Sequence, residues 1–272
     1  MIAALASAAV SICLTNAAGL DREVGRRALP WMPPDLARQV TKHERDFNRG
    51  AAAAAAWPAS YHRPGDSRGL ERAITAQCER LVAAIRGRAP FSEVVAGLGA
   101  LAHFTTDLDS PLDVSRTADP KVQAFAAYAA SVATRIPVVF YGQDRALIRA
   151  STTELPAVLR ARRRQVAALD LLVRDDLDRA GGPAAWRALD DRSTSFGAAS
   201  LVLNHAASDF SNLASWVWQH AGGLVPPLPE RDHEILVWVG DPRPRDLPGV
   251  PGARRDGNDA TRPRLGLRQS GP

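Results

Sequence analysis

Apolar positions recur at helical spacing along most of the chain. Leu70, Ile74, Cys78, Leu81 and Ile85 fall three or four residues apart, which predicts an amphipathic helix over Leu70–Arg88. Asp35–Arg49 predicts another, with Asp35 at the N-cap, Leu36, Val40 and Phe47 on one face, and Gly50 just past the end. Asp21–Met32 reads as a short helix stopped by Pro33 and Pro34. Two stretches, Phe91–Thr106 and Ser193–Ala221, are apolar on nearly every side, and such helices belong at the centre of a fold. Lys121–Thr134 is a further apolar helix, and Thr152–Ala180 carries a long helix with a basic stretch at Arg160–Arg164. Val138–Tyr141 reads as a short strand or an ordered turn, and HEILVWVG, residues 233–240, as one extended segment.

The fold class that follows is all-α, a single helical bundle with a disordered Pro/Gly/Arg-rich C-terminal tail. No linker interrupts it before residue 222, so the expected division is 1–20, 21–221 and 222–272. With 46% hydrophobic and 23% charged residues, wholesale disorder and a polytopic membrane protein are excluded. Basic residues outnumber acidic ones 34 to 29, a mild excess. Much of it sits in the tail, and it makes no case for nucleic acid. Only Lys42 and Lys121 are lysines, the arginine skew of a GC-rich, bacterial genome. Cys13 and Cys78 form no CxxC, so a thiolate zinc knuckle is excluded. Residues 1–20 fit either a secretory h-region without a basic n-region or the start of a buried first helix. The first case makes the protein secreted or periplasmic, the second cytoplasmic.

The chemistry lies in polar residues set into the two apolar helices. His103 is followed four residues later by Asp107, and His205 four residues later by Asp209. Residues at i and i+4 share a face, so each pair points an imidazole and a carboxylate the same way. Burying a carboxylate costs several kcal/mol unless a cation meets it, and neither run contains a lysine or arginine. Two such pairs turned inward in a bundle form a metal site, and zinc accepts both donor types.

The stretch GLGALAHFTTDLDSPLDV resembles the motif of the zinc-dependent phospholipase C and S1/P1 nuclease superfamily, with Leu98, Gly99, His103, Asp107 and Pro111 at the motif places and Asp113 where a histidine is expected. LNHAASDFS is similar to the family's second helix motif, with Asp209 in place of glutamate, and FNRGAAAAAAWPASYH lies upstream in the expected order. The resemblance covers residues 21–221 and implies an all-α fold of that type with one to three zinc ions. Position by position it implies His62, His103 and Asp107 as ligands of a first zinc, with Asp107 also bridging to a third. Asp113, His205 and Asp209 would hold a second, and Asp21 would serve the third. The added carboxylates also suit Mg²⁺ or Mn²⁺.

Ala55 stands where the family has an aspartate that is both ligand and general base, and no tryptophan precedes Trp31 to supply the family's N-terminal ligand. The base would then be Asp107, or Asp66 from the loop after His62. The function implied is a phosphodiester hydrolase, of phospholipase C type in preference to a single-strand nuclease because aromatic residues are scarce. The phosphodiester substrate is then a phospholipid head group before single-stranded nucleic acid, with no stable protein partner implied. A non-catalytic metal-binding relative is the other reading, motivated by Ala55.

Overall fold

The structure is a computed structural model and describes residues 19–65, 69–228 and 236–238, the last three by backbone alone. Four features singled out above fall outside the described residues: the apolar segment up to residue 18, Asp66, and the chain at 229–235 and from 239 on.

The described chain is all-α apart from one pair of three-residue strands. Its helices are α1 (residues 19–28), α2 (Pro34–Lys42), α3 (Glu44–Ala55), α4 (Leu70–Arg86), α5 (Phe91–Leu108), α6 (Pro120–Val132), α7 (Arg145–Arg149), α8 (Leu155–Ala167), α9 (Asp170–Arg179) and α10 (Thr194–His220). Strand β1 (Val138–Phe140) pairs antiparallel with β2 (Leu236–Trp238), Val139 opposite Val237. Strand β2 falls within residues 233–240, the segment expected to be extended, and β1 within Val138–Tyr141, expected to be a short strand or an ordered turn.

The two all-apolar runs are the central rods. Helix α5 packs on α3, α4 and α10, and α10 also touches α6, α7 and α9. Val95, Leu98, Leu101, Phe104 and Leu108 of α5 and Phe210, Leu213 and Val217 of α10 are fully buried. Burying side chains of this kind stabilises by about 1.5–3 kcal/mol each, so these two helices carry much of the core.

Two helix expectations need correction. The run Asp35–Arg49 is not one helix. It breaks at His43 (φ −114°, ψ 34°), Asp35 lies in the first turn of α2, and Gly50 is interior to α3. The alanine run that follows has the highest helix propensity and carries the helix on. Gly50 is needed there for approach. A Cβ on it would lie 1.8 Å from the carbonyl oxygen of Ala96, and one on Gly99 1.9 Å from that of Phe47. Helices α3 and α5 thus meet backbone to backbone.

Thr152–Ala180 is not one long helix either, because the chain bends at Ala168–Leu169 into α8 and α9. The bend lets α8 bury Leu155, Leu159 and Val166 towards α4, α5 and α7 while α9 buries Val173 and Leu177 towards α6 and α10.

Polar residues on α10 fasten the β1 segment. Asn204 Oδ1 accepts from Val139 N (3.0 Å), Ser208 Oγ from Tyr141 N (3.1 Å) and Asn212 Oδ1 from Asp144 N (3.2 Å). These three residues are spaced i, i+4, i+8, so one helical face satisfies an irregular segment that would otherwise bury bare amides. Arg27 of α1, 1% exposed, completes the lock by donating to Ala133 O, Ile136 O and Asn204 Oδ1.

Candidate metal centre

One turn of α5 presents His103 and Asp107 side by side, with His103 Nε2 3.4 Å from Asp107 Oδ2. A 3₁₀ turn, Ala59–His62, brings His62 from the other side, and its Nδ1 lies 2.6 Å from the same Asp107 oxygen. The two imidazole rings meet edge to face with centroids 5.3 Å apart. One ligand atom from each of His62, His103 and Asp107 falls within 4.8 Å of the others, and all three residues are buried.

Asp21 reaches the group from α1. Its Oδ2 accepts from His103 Nδ1 at 2.8 Å, and the residue is 1% exposed.

The donor set fits a divalent cation. His62 Nε2 and Asp21 Oδ1 are buried with no hydrogen-bond partner among the described residues. Leaving such atoms bare costs about 1–3 kcal/mol each, so the site is built for something more than its own side chains. Two imidazoles and one carboxylate are the ligand types zinc takes, and three protein ligands leave one position open, as in catalytic sites. In the protein alone His103 meets the need for positive charge. Burial pulls its pKa down, but Asp107 and then Asp21 outweigh it and raise it to about 9.

The trio forms one wall of a cavity of about 180 Å³. Most of the cavity's remaining lining is apolar, including Val122, Phe125 and Ala129 of α6 with Val114, Val202 and Trp57. Among the described residues, no lysine or arginine lines it, and Ala55 is one of its lining residues.

The second pair goes elsewhere. His205 stacks on Tyr141, ring centroids 4.3 Å apart, and burial followed by Arg162 lowers its pKa to about 4, so the ring is neutral near pH 7. Asp209 is fully buried and meets a guanidinium, with Arg162 Nε 3.3 Å from its Oδ2, and Arg162 also pairs with Asp144. Burial pushes the Asp209 carboxyl up to about 7 against the pull of Arg162. Asp113 accepts from Ser115 N (3.1 Å) and Ser115 Oγ (2.6 Å) in its own turn. Asp113, His205 and Asp209 therefore do not gather into a second ligand group. Among the described residues the one group of three or more metal-capable side chains is His62, His103 and Asp107.

Arg162 is the functional partner that the helix patterns leave unmarked. A carboxylate in an apolar helix with no cation in its own run demands one from another element, and the Arg160–Arg164 stretch was the visible source. Asp109 is fully buried at the C-cap of α5, its carboxyl pushed well up by burial and by Asp209, a placement that no motif in the sequence marks.

Neither a family model nor a curated protein matches the chain. Among solved structures it is similar to the alpha-toxin of Clostridium perfringens isolated from avian strain SWCP, at 12% identity and a TM-score of 0.48. The similarity covers 79% of this chain and 64% of the toxin chain, so it spans less than two thirds of the toxin's length.

Proposed function

We propose that the protein is a metal-dependent phosphodiester hydrolase of phospholipase C type. The observation that carries this reading is the His62–His103–Asp107 trio in the lining of a largely apolar cavity. Zinc held there would polarise a phosphoryl oxygen and ready a water for attack on phosphorus.

The chain's own residues do the rest. His62 and His103 present ring nitrogens towards the shared oxygen of Asp107. Asp107, a carboxylate of the cavity lining, would take a proton from the attacking water, and Asp66 is the second candidate for that role. The α6 wall excludes water and seats an organic group. Among the described residues the lining has no lysine or arginine, which favours a singly charged lipid phosphodiester over the polyanionic strand of a nucleic acid.

Metal binding without turnover is the second reading. It is favoured by Ala55, which puts a methyl group on the cavity wall where the family that the sequence resembles carries a carboxylate.

The test is metal content by mass spectrometry together with turnover of phosphatidylcholine vesicles and single-stranded DNA by the zinc-loaded protein. Stoichiometric zinc and lipid turnover, both lost in His103→Ala, is the expected result. Zinc with neither turnover moves the protein to the second reading, and preferential DNA cleavage makes it a nuclease. Absence of any bound metal overturns both readings.

A further inference from the structure

We propose that Asp21 is a positioning residue that acts on the cation through His103, holding the imidazole in the tautomer whose Nε2 faces Asp107. This rests on the metal-centre reading above and adds a role that the trio itself does not supply.

Three features of the contact support this role. Asp21 comes from α1, 82 residues away in sequence, yet its Oδ2 is 2.8 Å from His103 Nδ1. Both side chains are buried, at 1% and 6% exposure, so no solvent competes for the contact. The other ring nitrogen, Nε2, is the one turned to Asp107, at 3.4 Å.

The chemistry follows from donor and acceptor counting. A neutral imidazole carries one N–H and one lone pair. A carboxylate can only accept, so Asp21 keeps the hydrogen on Nδ1 and leaves the lone pair on Nε2. Nε2 then points into the cluster, where a cation shared with His62 and Asp107 would lie. The negative charge behind the ring raises its basicity and fixes its angle, and loss of such a partner weakens metal binding by about 10–100-fold. The contact with His103 gives the buried Asp21 carboxylate a partner on the core-facing side of α1, beside Leu20 and Val24. It needs no lysine or arginine, since the imidazole and its cation supply the positive charge.

The test compares the full-length protein with D21N, titrated with Zn²⁺ and with Co²⁺. D21N keeps the volume and removes the charge. The expected result is one metal per chain in both proteins, a Zn²⁺ Kd about 10–100-fold weaker in D21N, and a shifted but equally intense Co²⁺ visible band. An unchanged Kd with a lowered Tm makes Asp21 merely structural and overturns the inference. A changed Co²⁺ band intensity, reporting a lost ligand, makes Asp21 a direct ligand and also overturns it.

A second measurement needs no variant. In wild-type protein labelled at imidazole nitrogen and loaded with zinc, His103 is expected to show a protonated Nδ1 and a metal-bound Nε2 by NMR. The opposite assignment overturns the inference even if D21N fails to fold. Wild-type protein that binds no metal sinks the metal-centre reading itself, a result distinct from wild-type binding that D21N leaves untouched.

Discussion

Arg162 Nε lies 3.3 Å from Asp209 Oδ2, joining the basic stretch of α8 to a carboxylate that is fully buried in α10. The guanidinium also pairs with Asp144 and faces Asp109, so one cation answers three acids. Removing one partner of a buried ion pair costs more than the pair contributes, because the other charge stays desolvated. Arg162→Ala should destabilise the protein by about 3–5 kcal/mol in urea unfolding, and Arg162→Lys by less. A loss below about 1 kcal/mol would mean the acids are neutral or solvated.

The stability of the protein should depend on pH through His205. Its pKa falls from 6.5 to about 4 in the fold, because burial and then Arg162 disfavour the charged ring. At pH 5 the unfolded state binds a proton here that the folded state does not. The contribution of His205 is therefore fully present above pH 6.5 and is lost as pH falls towards 4. Its upper bound is about 3 kcal/mol. Asp209 acts with the opposite sign, since its raised carboxyl costs stability as pH rises through about 7. The difference between wild type and His205→Phe isolates the imidazole. That difference should flatten below pH 4 and above pH 6.5, and a variant with an unchanged pH profile would refute it.

Two glycines separate close approach from mere flexibility. A Cβ on Gly99 meets the carbonyl of Phe47 at 1.9 Å and the amide nitrogen of Ala51 at 3.0 Å, all backbone. Gly99→Ala must push α3 from α5 and should cost about 1–3 kcal/mol. Because α3 carries Ala55 and α5 carries His103, it should weaken zinc binding as well. Gly197, near the start of α10, has nothing within 4 Å of its Cβ position. Gly197→Ala should stabilise by about 0.5–1 kcal/mol with no effect on metal. Thermal melts of the two variants with and without zinc check both directions.

Ala55 is the position at which the cavity is best extended. It lines the same space as His62, His103 and Asp107. Ala55→Asp should add an oxygen donor and tighten zinc binding by about tenfold or more, since about 1.4 kcal/mol suffices for that factor. If the protein turns over phosphodiesters, the rate should rise with it. A chelator competition series on the two proteins gives the ratio, and an unchanged Kd would place residue 55 too far from the cation.

Much of this was legible along the chain. The all-round apolar character of Phe91–Thr106 and Ser193–Ala221 marks α5 and α10 as central, because a helix with no polar face has nowhere to go but inside. The spacing of His103 and Asp107 places both on one face, and the structure keeps them there at 3.4 Å. The boundaries were less legible. At Gly50 the local rule for a helix end was overridden by a contact with Ala96, a residue on another helix.

The sequence by itself determined the helical period, the two central rods and the direction in which each polar pair points from its own axis. Tertiary structure alone decided what each pair meets. His103 and Asp107 meet His62 and Asp21, while His205 meets Tyr141 and Asp209 meets Arg162. The physical reason is that an i, i+4 relation is set by backbone geometry within one helix, whereas a buried carboxylate takes whichever cation the packing of other helices delivers. The two couples share one spacing, yet one lies in a candidate metal centre and the other in a buried ion pair.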